Sequence, residues 1–244
     1  VTPTSTNTPE TATAPDPYAG FRVGKSLVVA IDGPSGSGKS SVSREVARRL
    51  RAAYLDTGAM YRAVTLHCMR TGIDLTDSPA VEAATRSIDL VISISPDRES
   101  VLIAGTDVTS AIREPEVSSA VSAVATTMGA RAELIRRQRA LIAGAAHRIV
   151  AEGRDITTVV APDAEVRVLL TASEEARLRR RGDQLGGTQT AAQLKRQVTE
   201  RDAKDSTAAD FTQAADGVVT LDSSELDFEQ TVAALLTIVR SVAN

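Results

Sequence analysis

The feature that most constrains this chain is Gly33-Pro34-Ser35-Gly36-Ser37-Gly38-Lys39-Ser40, which fits G-x-x-x-x-G-K-[ST] and stands just after the apolar run Leu27-Val28-Val29-Ala30-Ile31. A continuous β-branched run of that kind suits a strand covered on both faces. From Lys39 onward, Val42, Val46, Ala47 and Leu50 fall on one helical face, with Arg44, Arg48 and Arg51 elsewhere. Strand, glycine loop and helix, in that order, are the context in which the motif binds phosphate. Glycines let backbone N–H groups converge on phosphate oxygens, which a side chain would obstruct. The helix N-terminus adds its dipole. Lys39 can reach the β- and γ-phosphates of ATP, and the Ser40 hydroxyl can ligate Mg²⁺. Gly33, Pro34, Ser35, Gly36, Ser37, Gly38, Lys39, Ser40 and Ser41 are therefore the candidate ATP-binding residues, with Ser40 the candidate metal ligand.

Further apolar runs recur at 53–55, 91–94, 101–103, 148–151, 166–170 and 218–221. Helical patterns lie between several of them. Residues 133–146 carry Leu134, Ile135, Leu141, Ile142 and Ala145 on one side, Ser173-Glu174-Glu175 reads as a helix start, and Phe228 to Val242 as a closing amphipathic helix. Strands alternating with helices predict an α/β fold, a parallel sheet with helices on both faces. With 244 residues, 42% hydrophobic, the chain can bury one sizeable core. Residues 89–107 differ, because two β-like runs separated only by Ser95-Pro96-Asp97-Arg98-Glu99 suit a hairpin in a small insert. Residues 1–25 are rich in Thr, Pro, Ala and Ser and are expected to form a disordered tail.

The formal net charge of −3 gives no reason to expect a nucleic-acid partner. Arginines nonetheless crowd at 131–139, 177–181 and 196–201. Local crowding in a mildly acidic chain fits a small phosphorylated ligand, although solvated helix faces would look the same. Cys68 stands alone, so neither an internal disulfide nor a thiolate metal cluster is available. His67 and His147 are far apart in sequence, and neither is expected to be catalytic. No apolar run is long enough to span a membrane and nothing at the start resembles a signal peptide, so a cytoplasmic protein without a membrane partner is expected.

Three more segments carry usable chemistry. Asp56-Thr57-Gly58-Ala59-Met60-Tyr61-Arg62 offers a hydroxyl, a ring and a guanidinium, a set suited to a flat base and a phosphate. An ordinary helix N-terminus would carry the same residues. Glu152-Gly153-Arg154-Asp155 follows a strand, where ligands of open α/β sheets bind, or else forms a structural Arg–Asp pair. Arg201 and Asp205 share a helix face, as a ligand pair or as an i,i+4 surface pair.

Taken with GTDVTSAIREPEVSSAVSAVA at 105–125, RRQR at 136–139, GRDITTVV at 153–160 and RDAKDS at 201–206, the chain from Leu27 onward resembles bacterial cytidylate kinases. The resemblance implies a P-loop core over 26–83, 132–176 and 209–244. It also implies a small β-containing NMP-binding insert over 84–131 and a helical lid over 177–208. It implies transfer of the γ-phosphoryl of ATP to CMP or dCMP with Mg²⁺, with UMP a poor acceptor; a monomer is expected. Thr57 and Tyr61 would line the cytosine pocket. Ser122, Arg131 and Asp155 would hydrogen-bond the base, Arg62 and Arg154 would hold the acceptor phosphate, and Arg201 and Asp205 would touch ribose or phosphate. Lys39 with Arg179 and Arg180 would stabilise the transferring group. An Asp and a Ser hydroxyl can accept from the cytosine amino group while an Arg donates to N3 and O2; uracil reverses the amino and N3 positions of this pattern.

One departure stands out: the family's usual arginine three residues after Asp205 is Ala208 here, and Asp210-Phe211-Thr212 lacks the usual Ala-Pro-Leu character. This implies weaker acceptor binding or a substitute arginine from 177–181. Two other readings remain open, a P-loop kinase for another small acceptor such as UMP, and a nucleotide-binding regulator that transfers nothing.

Overall fold

The computed structural model describes residues 26–146, 148–184, 195, 202–203, 205–207 and 210–243. The expected tail, most of the expected lid, His147, Arg201 and Ala208 lie outside the described residues.

Five strands form one parallel sheet: β1 (Leu27–Asp32), β2 (Ala53–Asp56), β6 (Arg148–Gly153), β7 (Val166–Thr171) and β8 (Val219–Asp222), in the order β2-β6-β1-β7-β8. Every residue of β1 is buried. The period of two then sorts its side chains onto two cores. Val28 and Ala30 join Leu55, Ile149 and Ala151 beneath helices α2 (Thr57–Thr71), α3 (Ser78–Ser87) and α5 (Met128–Gly144). Leu27, Val29 and Ile31 join Val150, Val166, Val168 and Leu170 beneath α1 (Lys39–Arg49) and the closing helix α7 (Phe228–Ala243). Each such fully buried aliphatic residue contributes about 1.5–3 kcal/mol. None of the helices among the described residues is long and apolar enough to cross a membrane.

The expected hairpin forms, β3 (Leu90–Ile92) against β4 (Val101–Ile103), but a third strand extends it, β5 (Thr106–Asp107). Ala104 and Gly105 both take positive φ, 48° and 75°, the backbone of a two-residue hairpin turn. Alanine is an unusual occupant of such a turn, which is why the sequence hid it. A 3₁₀ turn (Ala111–Arg113) and α4 (Pro115–Thr126) follow. Val101, Val108, Ile112 and Val117 of this region pack on Ala59, Ala63 and Leu66 of α2, forming a third small core.

Helix α5 starts at Met128, five residues before the periodic pattern. Gly129, Ala130 and Ala132 fill its first turns, and small residues leave no hydrophobic stripe to read. Helix α6 (Glu174–Gln184) starts at the expected place, after Ser173, whose Oγ accepts the Ala176 N–H at 3.2 Å.

Candidate active site

The glycine loop joins β1 to α1. Gly36 and Gly38 have φ of 76° and 87°, left-handed values that favour glycine. A Cβ on Gly33 would lie 2.1 Å from the Leu170 carbonyl oxygen, so no side chain fits there. Cations cover the loop's carbonyls. Lys39 Nζ donates to Pro34 O at 3.0 Å, Arg154 Nη1 to Gly33 O at 2.6 Å, Arg177 Nη1 to Ser35 O at 3.1 Å and Arg180 Nη1 to Ser37 O at 3.2 Å. Positive charge is thereby concentrated around a loop whose N–H groups already favour an anion. The buried Ser37 hydroxyl has no partner among the described residues. The exposed Ser41 hydroxyl turns back onto Gly38 O at 3.0 Å.

Sheet register brings three carboxylates to the same edge, because Asp32 pairs with Gly153, and Glu152 pairs with both Ile31 and Asp56. Each has a different task. Asp32 accepts the N–H groups of Ile156 and Thr157 and the Thr157 hydroxyl, all within 2.8 Å. These bonds pin the single π-helical turn Ile156–Val160, and with it the direction of Arg154 and Asp155. Burial still pushes the Asp32 carboxyl above its usual pKa. Glu152 accepts the Ser40 hydroxyl at 2.7 Å, and the Tyr54 hydroxyl stands 3.4 Å away. Burial, then the nearby Asp56 charge, raises its pKa, while Lys39 and Ser40 oppose the shift.

Asp56 caps α2 by accepting the Ala59 N–H at 2.9 Å and pairs with Arg62 at 3.0 Å and Arg113 at 3.3 Å. Burial acts to raise its pKa, but the two guanidiniums prevail and the carboxyl is held below its usual range. Arg113 also pairs closely with Glu99, which binds Arg44 of α1 at 2.8 Å. Arg62 Nε is buried with no partner among the described residues. Burial, and then the charges of Arg62 and Arg113, lower the pKa of Arg181. Arg181 of α6, one of the 177–181 cluster, thus lies within electrostatic reach of this pair.

On the other side of the loop, Ser122 Oγ donates to Asp205 Oδ1 at 2.9 Å, and Arg154 Nε donates to Asp205 Oδ2 at 3.2 Å. Arg154 also reaches Ser35 Oγ at 2.8 Å and lies 4.8 Å above the Phe211 ring. The atypical Asp210-Phe211-Thr212 segment thus supplies a platform for a site arginine. Arg131 and Asp155 form an ion pair at 2.5 Å. Tyr61 belongs to the same group, its hydroxyl pKa raised by burial and then by Asp155. The Thr57 hydroxyl donates to Glu152 O at 2.8 Å and so supports the start of the Gly153-Arg154-Asp155 segment.

Most of the expected residues therefore converge. Arg179 is exposed, and Arg180 ties α6 to the β8–α7 connection through Ser223 and Leu226. Arg201 lies outside the described residues. Of the 131–139 crowd, only Arg131 joins the site. Arg136 and Arg137 hold Glu133, and Arg137 and Arg139 reach main-chain carbonyls. Sequence reasoning gave no role to Asp32, Asp56, Glu152, Arg113 or Asp202, and named Arg177 only within the 177–181 cluster. A signal existed for the first three, each an acidic residue at or next to the end of an apolar strand.

A family model described as "Cytidylate kinase" matches residues 29–241. A curated cytidylate kinase of Rhodococcus jostii is 50% identical over 217 residues, covering 87% of this chain and 94% of that one. One of Cutibacterium acnes is 49% identical over 215 residues, covering 87% and 96%. A solved structure, of an uncharacterized protein from Eubacterium ventriosum, matches with a TM-score of 0.50 at 10% identity, over 88% of this chain and 99% of that one, and this likeness speaks for the fold alone. With the glycine loop, the strand-end carboxylates and a match over nearly the whole described core, the chain belongs to the cytidylate kinase family.

Proposed function

We propose that this chain transfers the γ-phosphoryl group of ATP to CMP or dCMP, giving CDP or dCDP. Membership of the cytidylate kinase family makes it an ATP-dependent nucleoside monophosphate kinase. One observation carries the choice of acceptor. Beside the cation-covered loop, the Arg131–Asp155 pair and the Ser122–Asp205–Arg154 chain gather donors and acceptors for a cytosine edge and a phosphate.

In this reading the glycine loop and Lys39 hold the donor phosphates. Arg62 and Arg154 take the acceptor phosphate, Arg62 with an Nε still unspent. Thr57 and Tyr61 border the base, while Ser122, Arg131 and Asp155 read its edge. Arg179 and Arg180, with Arg177 beside them, lie on the helix that meets the loop and would offset charge on the transferring group. Arg201 and Asp205 complete the acceptor side. Transfer is in line and needs no covalent intermediate, so positioning and charge supply most of the rate. The acceptor phosphate is already an anion near neutral pH and needs no general base.

Mg²⁺ fits the residues present. The Ser40 hydroxyl and Glu152 carboxylate stand 2.7 Å apart, two oxygen donors that leave the remaining positions to water and phosphates. When bound, the ion would neutralise phosphate charge. The division into core, insert (84–131) and lid (177–208) follows the same reading, supported by the separate small sheet and by arginines of α6 resting on the loop. So does a monomer acting in the cytoplasm on small molecules, with no nucleic-acid or membrane partner.

The test is ADP release with ATP and Mg²⁺ against CMP, dCMP, UMP, AMP and GMP. Fast turnover of CMP and dCMP with UMP far behind is expected. Turnover of UMP or AMP alone, or ATP binding without turnover, would overturn the assignment.

A further inference from the structure

The Asp202 carboxylate lies where an anionic ligand of the glycine loop belongs. Its Oδ1 accepts the Ser35 N–H at 2.9 Å, its Oδ2 pairs closely with Arg177, and Arg154 Nη2 stands 3.6 Å from Oδ1. A loop amide and two guanidiniums are donors that a phosphoryl group takes. A buried donor on the same guanidinium, Arg177 Nε, has no partner among the described residues. A carboxylate carries two oxygens and a terminal phosphoryl group three. The pocket therefore offers more donors than Asp202 can use.

We propose that Asp202 is an internal stand-in for phosphate. In the nucleotide-free protein it holds Ser35, Arg154 and Arg177 in the geometry a phosphoryl group needs, and it gives up that place when polyphosphate binds. Two anions cannot share the Ser35 N–H, so Asp202 competes with the ligand for the site it keeps in order. This rests on the assignment of the loop to ATP.

The experiment titrates tripolyphosphate and ATP, each without acceptor, into the intact wild-type chain and into Asp202→Ser and Asp202→Asn, with thermal unfolding as the check on folding. A serine is too short to reach Ser35. If the stand-in occupies the site about nine-tenths of the time, Asp202→Ser tightens tripolyphosphate about tenfold. Asp202→Asn, which keeps an accepting oxygen but loses the charge, falls between. KM for ATP drops in parallel, and KM for CMP moves less. Unchanged or weaker tripolyphosphate binding in Asp202→Ser would overturn the stand-in role and leave Asp202 a structural partner of the arginines. Wild-type turnover of CMP tests the proposed function separately, so active enzyme with no tightening refutes this inference alone. No tripolyphosphate binding by any of the three chains refutes this inference, while the proposed function stands or falls on the turnover of CMP.

Discussion

Replacing Asp56 with alanine removes one carboxylate that does two structural jobs. The side chain is 8% exposed and faces Arg62, itself 11% exposed, at 3.0 Å. Truncation leaves the Arg62 guanidinium buried without its counter-charge, and breaking a buried pair in this way costs about 3–5 kcal/mol. Losing the cap on the Ala59 N–H adds roughly 1 kcal/mol. Arg113 adds little, because it is 36% exposed and retains Glu99. The expected loss is about 4–6 kcal/mol, a large part of a typical domain's 5–15 kcal/mol. Urea unfolding followed by circular dichroism measures it. The double variant Asp56→Ala/Arg62→Leu then separates causes, because removing both partners leaves no stranded charge and recovers about 2 kcal/mol or more. A loss under about 1 kcal/mol, or a double variant no more stable than the single one, would refute the view that Asp56 is needed chiefly to neutralise Arg62.

Three other outcomes follow from the same geometry. Arg154→Ala should lower kcat/KM for CMP by about 10–100-fold, mainly through KM, with the fold retained, because it removes a charged ligand of the bound acceptor; steady-state kinetics with varied CMP checks this. Glu152→Gln should raise the Mg²⁺ concentration needed for half-maximal rate, and in the wild type the apparent Mg²⁺ affinity should start to fall at a higher pH than an ordinary carboxylate would give, since burial raises the Glu152 pKa; Mg²⁺ titrations across pH show either trend. The Arg136 hydrogen bond, reinforced by Arg137, holds the Glu133 carboxyl at about 2, below its ordinary 4.5. Its depressed folded-state pKa means that its stabilisation is present above pH 4.5 and is lost as pH falls towards 2, so the stability gap between wild type and Glu133→Gln should narrow over that window in denaturant titrations.

The parallel core was readable from the chain because its strands are buried on both faces and announce themselves as apolar runs. Leu27–Asp32 and Val166–Thr171 are close to their expected spans. The short edge elements were harder. Thr106–Asp107 has two residues and no hydrophobic signal, and it exists because the Ala104-Gly105 turn folds it back onto β4. Candidate-site residues were readable where a local motif constrains them, as in the glycine loop and the Arg154-Asp155 pair. Asp202 and Arg177 were not, since their role depends on a loop 142 or more residues away.

By itself the sequence determined the phosphate loop, the alternation of strands and helices, and the segments that carry the family resemblance, since each rests on spacing between near neighbours. Only the tertiary structure decided which charges meet. Strand register set Asp32, Asp56 and Glu152 side by side, and α6 carried Arg177 and Arg180 onto the loop carbonyls. The same packing sent Arg136, Arg137 and Arg139 to structural partners despite their place in an arginine cluster. The physical reason is that a buried charge is tolerable only beside its partner, and partners distant in sequence are chosen by the packing of the whole chain.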